Sequence, residues 1–252
     1  MNEPPYGINM IVYGPKGCGK SYLGDTAPGP RVVLDAEAGS RFTPSRKKQW
    51  DPVNERPPQP DGTWDTALVT VRDFRTVMKA YEWLASGDHP FRSVIIDSVS
   101  EIQQRAVDDI AGTNAMQKQD WGQLLRIVSD LVRKFRDLIS HPVRPLDAVV
   151  FIAMARQVEG TWQPHVQGQL AVTLPYYVDV VSYMAPVVNP ETGEVTRRLF
   201  CGTFPGYMTG ERVAGALGSY IDAPDVSGML EMIRAKLRQN AAGQEGRDIR
   251  LE

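Results

Sequence analysis

The chain has 252 residues, 42% of them hydrophobic and 23% charged, and a formal net charge of −2. That length suffices for one full hydrophobic core, and the near-neutral balance excludes a whole-molecule attraction to nucleic acid or anionic membrane, so any polyanion site must be a local patch. With only Cys18 and Cys201 there is no disulfide framework, and no run approaches the ~18 apolar residues of a membrane span; a single soluble domain in a reducing cytoplasm is the expectation.

Ile8 to Tyr13 is a short apolar run followed by GPKGCGKS and a segment able to start a helix, so the first unit reads strand, loop, helix. Arg31 to Leu34 is a second strand. Residues 43–65 are rich in proline and lack periodicity, which predicts an irregular surface insertion. Leu68 to Val71 reads as a strand, and Phe74, Val77, Met78, Tyr81 and Leu84 recur at helical spacing. SVIIDS, from Ser93, is a further buried strand, leading into a helix that carries Val99, Ile102, Ala106 and Ile110. Leu124, Leu125, Val128, Leu131, Val132, Phe135, Leu138 and Ile139 form the apolar stripe of the best helix. AVVFIA, Ala148 to Ala153, is another continuous apolar run.

Strands alternating with helices in this way predict an α/β fold whose mainly parallel, twisted sheet is flanked by helices. VDVVSYMAPV, a turn at NPETGE and VTRRLFCGTF then predict a C-terminal antiparallel hairpin extending the sheet. Asp225 to Gln239 has the pattern of a last amphipathic helix. The organisation that follows is a core over 1–222, with 43–65 as its insertion, and a C-terminal helix and loose tail over 223–252.

GPKGCGKS matches G-x-x-x-x-G-K-[ST] with a strand before it and a helix after it. Its glycines let backbone N–H groups wrap a phosphate chain. Gly14, Pro15, Lys16, Gly17, Cys18, Gly19, Lys20 and Ser21, with Tyr22 beyond them, are the candidate nucleotide-binding residues; a chance glycine-rich turn is the alternative. Lys20 would reach the β- and γ-phosphates, and the Ser21 hydroxyl would ligate Mg²⁺. Asp97, closing the buried strand SVIID, would hold a water on that Mg²⁺ as a Walker B aspartate does. Glu37, at the mouth of the strand VVLD, is the candidate general base for an attacking water, against the alternative of a solvated acidic turn. Asp35 would hold that turn through backbone N–H groups.

With GPKGCGKS, VVLDAEAG, SVIIDSVSEI and AVVFIA in this order, the chain resembles the RecA-type recombinase ATPases, and among them the phage RecA-like single-strand annealing (Sak-type) ATPases. The resemblance runs from about Ile8 to Met184 and implies a RecA-like P-loop core, hydrolysis of ATP with Mg²⁺, subunit assembly and binding of single-stranded DNA. By position it makes Gly112 to Trp121 the first DNA loop and Gln157 to Gln169 the second. Trp121 and Trp162 would then stack on bases, and Lys118, Arg156 and His165 would meet phosphates. Either indole could instead pack against the base of its loop.

Three departures accompany the likeness. The glutamine that senses the γ-phosphate in these ATPases has no counterpart, because FIAMARQ puts Ala153 and Met154 at that strand end. The chain starts at its first core strand, so the N-terminal polymerisation element is not expected. The paired lysines that reach a neighbour's nucleotide lack a match, leaving Arg197, Arg198 and Arg212 as candidate trans-acting cations, with a solvated face as the alternative for each.

The functional expectation is an oligomeric, Mg²⁺-dependent ATPase acting on single-stranded DNA in phage-type recombination, by annealing or strand exchange, with a single-strand-binding protein as a possible partner and no membrane role. The low basic content keeps open a second class, an ATP-gated interaction protein of phage replication or packaging without direct DNA contact. A small-molecule kinase is disfavoured because no segment looks like a basic lid over a phosphate acceptor.

Overall fold

The computed structural model describes residues 7–248, and their side chains through residue 242. Six of its strands follow the alternation seen in the sequence: β1 (Ile8–Gly14), β2 (Arg31–Asp35), β4 (Thr66–Thr70), β5 (Ser93–Asp97), β6 (Ala148–Val158) and β8 (Val180–Val188). Between them run α1 (Lys20–Gly24), α2 (Phe74–Ser86), α3 (Val99–Ala111), α4 (Lys118–Asp137) and α5 (Leu170–Tyr177). The short strands β3 (Lys47–Gln49), β7 (Thr161–Pro164), β10 (Gly210–Glu211) and β11 (Tyr220–Asp222), with β9 (Val195–Phe200), complete one sheet, and α6 (Val226–Asp248) follows.

The strand order is β11-β9-β8-β1-β6-β5-β2-β4-β3. From β8 to β3 all neighbours are parallel, and β9 adds antiparallel to β8, with Ala185 opposite Arg198. The expected fold class is therefore the observed one.

Side-chain alternation explains the two cores. Ile11, Tyr13, Val149 and Phe151 point to one face and pack under α2–α5, whereas Met10, Val12, Val150 and Ile152 point to the other and pack under α1 and α6. Strands buried on both faces must be apolar throughout, which is why β1, β5 and the start of β6 read as continuous runs. Such a sheet presents its functional groups at the strand ends, and the C-terminal ends of β1, β5 and β2 lie on one edge of the sheet, with β6 between β1 and β5.

Two segments gain detail from the structure. The segment 43–65 is mostly turns and coil but is tied to the fold: β3 pairs with β4, Lys47 opposite Thr66, and Trp50 and Trp64 are buried against Phe91 with ring centroids 5.5 and 6.4 Å away. Prolines punctuate the segment, but the two indoles give it a core of its own to cover. The last helix also runs past Gln239 to Asp248, so the expected loose tail is helical as far as the structure describes it, and residues 249–252 lie outside the described residues. Met229, Leu230 and Ile233 of α6 are buried with the β1–β6 face, so this helix belongs to the same core. Among the described residues no helix is long and apolar enough to cross a membrane.

Candidate nucleotide site

The loop Gly14–Ser21 leaves β1 where its last residues lie level with Met154 of β6 and Tyr183 of β8. At Gly14 a Cβ would lie 2.2 Å from the Met184 carbonyl oxygen, so no other residue fits where the loop turns away from the sheet. Gly19 has φ 104°, in the left-handed region that glycine adopts without penalty, and hands the chain to α1. Lys20 Nζ donates to the carbonyls of Gly14 and Pro15, both at 2.9 Å, so the lysine lies across its own loop, where a phosphate would exchange for those carbonyls. Cys18 is buried, its Sγ 3.9 Å from Lys20 Nζ, and burial pushes its thiol pKa up, which leaves it an inert packing group.

Asp97 ends β5 and is only 3% exposed. Its Oδ2 accepts from Ser21 Oγ at 2.6 Å and from Ser40 Oγ at 3.0 Å. Burial, abetted by the neighbouring Asp35 and Glu37 charges and opposed by the two hydroxyls, pushes its pKa up to about 6. Asp35 ends β2 in register with Asp97, and its carboxylate accepts the backbone N–H groups of Glu37, Gly39 and Ser40 at 3.2, 3.2 and 3.0 Å. The turn therefore folds around that carboxylate and throws Glu37 outward, where its Oε1 accepts from Ser98 Oγ. Lys20, Ser21, Glu37 and Asp97 share one cleft of about 760 Å³, together with His165 and Arg197.

Ser21 Oγ, Ser40 Oγ and Asp97 Oδ2 put three side-chain oxygens together, and among the described residues no group of three or more His, Cys, Asp or Glu side chains could cage a metal. That donor set fits Mg²⁺, which is held by one or two protein oxygens and completes its shell with water and phosphate. Ser21 and Asp97 are the residues that would hold it.

Of the other candidates, the structure brings some to this cleft and sends the rest elsewhere. Lys118 and Trp121 stand on the first turn of α4, whose Asp120 carboxylate accepts the Gln117 N–H at 2.8 Å, so the expected first DNA loop is shortened by a helix; Trp121 remains 43% exposed. Arg156 and Trp162 sit on the β6–β7 hairpin, Arg156 paired with Gln163. Trp162 packs against Tyr183, centroids 6.2 Å apart, and its carbonyl accepts from the buried Tyr13 hydroxyl at 2.8 Å, so it holds the hairpin to the sheet. His165 lines the cleft that holds Lys20, Ser21, Glu37 and Asp97, its backbone fixed by Met154 and by Ser100 Oγ. Among the cations, Arg198 forms a two-pronged pair with Asp222 and Arg212 bonds Asp179 and the Tyr176 carbonyl, whereas Arg197 enters the cleft of its own chain.

Ser40 and Ser98 escaped the sequence reading. Each adjoins a singled-out stretch, EAGS and IIDS, but a serine beside a motif is too common to mark, and the contacts they make span 57 and 61 residues of chain.

A family profile described as an AAA domain matches residues 6–213, most of the chain. The chain belongs to this AAA domain family. The match spans the phosphate loop, the β2 and β5 ends and the β8–β9 hairpin, so every group of the cleft lies inside the AAA domain. Among solved structures, a KaiC-like protein from the hyperthermophilic archaeon Pyrococcus horikoshii is 12% identical, with 86% of this chain and 90% of that one covered at a TM-score of 0.42. No curated protein matches this AAA domain protein.

Proposed function

We propose that this protein is a RecA-like P-loop ATPase that hydrolyses ATP with Mg²⁺. The observation that carries this reading is the 2.6 Å contact between Ser21 Oγ and Asp97 Oδ2, which joins the phosphate loop to the end of β5 inside a cleft that also holds Lys20 and Glu37. Each side chain has a separable task. Lys20 would trade its loop carbonyls for phosphate oxygens, and Ser21 and Asp97 would hold Mg²⁺, which supplies charge neutralisation for the transferring phosphoryl group. Glu37, restrained by Ser98, would orient a water and take its proton. Asp35, whose carboxylate accepts three backbone N–H groups of the turn, positions Glu37 by shaping that turn.

The finer reading is that ATP turnover serves single-stranded DNA in phage-type recombination, through annealing or strand exchange by a homo-oligomer, with a single-strand-binding protein as a further partner. Motif order and the exposed Lys118–Trp121 pair on α4 support it. A second reading, an ATP-gated interaction protein without direct DNA contact, draws support from the net charge of −2 and from the positions of Trp162 and His165, which face the fold and the cleft. One experiment separates them: ATP hydrolysis and a mobility shift with and without single-stranded DNA, with the assembly state measured in the same buffer. DNA-stimulated hydrolysis and a shift that weakens steeply with salt are expected of the first reading. Hydrolysis without either effect supports the second, and no hydrolysis with or without DNA sinks the ATPase itself.

A further inference from the structure

Two cavities meet at one arginine. The first is the cleft over the phosphate loop. The second, of about 780 Å³, lies beyond it between α1, the β8–β9 hairpin and the chain entering α6, lined by Leu23, Thr26, Pro186, Thr196 and Pro224 among others. Gly17, Gly19, Tyr22 and Arg197 line both, so Arg197 stands on the boundary.

How Arg197 is held decides what it can reach. It is exposed, and its guanidinium carbon stands 5.1 Å from the centroid of the Tyr22 ring. The side chain presses so near the loop that a Cβ on Gly19 would meet its Cδ at 2.8 Å and its Nε at 2.9 Å. Strand alternation turns the next residue away: Arg198 is spent on Asp222 and on the Tyr220 ring. Among the described residues Arg197 makes no ion pair, unlike Arg198 and Arg212. Its backbone is fixed relative to the loop by a short path, since β9 pairs with β8, β8 pairs with β1, and β1 runs into Gly14.

An unpaired guanidinium, stacked on an aromatic ring and held on a strand beside a cradle of phosphate-binding backbone, is placed for an anion in that cradle. We propose that Arg197 binds in cis, contacting the phosphates of the nucleotide held by its own loop, so that a nucleoside polyphosphate lies across the boundary with its phosphates in the first cavity and its nucleoside in the second. A residue already against its own loop is not available to a neighbouring subunit's nucleotide. This inference rests on the nucleotide reading above and adds to it the chain that supplies the cation.

The test is titration of the full-length protein with a fluorescent ADP (mant-ADP), comparing wild type, Arg197→Ala, Arg197→Lys and, as a remote loss of charge, Lys79→Ala. Arg197→Ala should weaken binding by about 10-fold, the value of one charge-assisted hydrogen bond, with Arg197→Lys between it and wild type and Lys79→Ala unchanged. Because Arg197 is exposed, its removal opens no buried cavity, and matching melting curves for the two Arg197 variants establish that both fold. A second arm mixes Arg197→Ala with Lys20→Ala and measures hydrolysis. A cis residue predicts no recovery, since neither subunit then holds a complete site. Wild-type affinity in Arg197→Ala, or hydrolysis restored on mixing, overturns the proposal while leaving the nucleotide site standing; a wild-type protein that binds no mant-ADP removes both.

Discussion

Two regions of this molecule bury polar groups, and they do so in opposite ways. At the ends of β2 and β5, Asp35 and Asp97 are 4% and 3% exposed, every short contact they make is with a donor, and both carboxyl pKa values are nevertheless raised by burial. Beneath the 43–65 segment, Trp50, Trp64, His89 and Phe91 form an aromatic cluster in which Trp64 Nε1 and His89 Nε2 make no hydrogen bond. The first region holds charge at a cost, offset by hydroxyl and N–H donors, and leaves Glu37 and the Ser21–Asp97 pair facing a cleft. In the second, neutral rings tolerate two unmet donors or acceptors, because the apolar area buried around them outweighs the loss. Costly charge kept at strand ends is the mark of a site; unmet but neutral polarity inside packed rings is the mark of a core.

The largest effect that would break this contrast is at Glu37. Glu37→Gln keeps the size of the side chain and removes its basicity, so ATP turnover should drop by about 10²–10⁴-fold while ATP binding persists. Phosphate release and mant-ATP titration on the same sample read both, and undiminished turnover would rule out the base assignment.

In the aromatic region the counterpart is Phe91→Ala. Phe91 is 1% exposed and touches Trp50, Trp64 and His89, so its truncation should lower unfolding free energy by about 3–5 kcal/mol in denaturant titration. Nucleotide affinity per folded molecule should not change. If affinity collapsed while stability held, the aromatic cluster would be part of the site and the contrast would be false.

A smaller effect of opposite sign is expected at Asp97. Asp97→Asn replaces a buried charge beside Asp35 and Glu37 with a neutral group of the same shape, so the nucleotide-free protein should gain on the order of 1–3 kcal/mol. Mg²⁺-dependent ATP hydrolysis should vanish in the same variant. A lower melting temperature for Asp97→Asn would mean that the carboxylate serves the fold rather than the site.

An effect that develops only as pH falls is expected at His89. Burial, helped by the Arg144 charge, lowers its pKa from 6.5 to about 4. Between those values the unfolded chain binds the proton and the folded one does not, so this group leaves stability intact above pH 6.5 and weakens it progressively as pH falls toward 4. Denaturant titrations from pH 7 to pH 4 should show that decline in wild type and a shallower one in His89→Leu. Identical slopes would show that His89 accepts its proton without leaving the core.

Both functional ends of the comparison were legible to different degrees. The phosphate loop, the strand ends at Asp35 and Asp97 and the outward Glu37 were readable from sequence, because each depends on a few consecutive residues: glycines where the backbone turns, apolar runs where a strand is covered on both faces, carboxylates where it emerges. The parallel sheet and the C-terminal hairpin followed from the alternation of periods for the same local reason. Tertiary structure alone decided what those groups meet. That Ser40 and Ser98 serve Asp97 and Glu37 depends on β2 lying beside β5, and that Trp50 and Trp64 belong to the core depends on β3 adding to the sheet edge. Arg197 shows the difference most clearly. In sequence it is one of two adjacent arginines in a hairpin; the pairing of β9 with β11 sets Arg198 opposite Asp222, and the pairing of β9 with β8 and of β8 with the distant β1 brings Arg197 onto the phosphate loop.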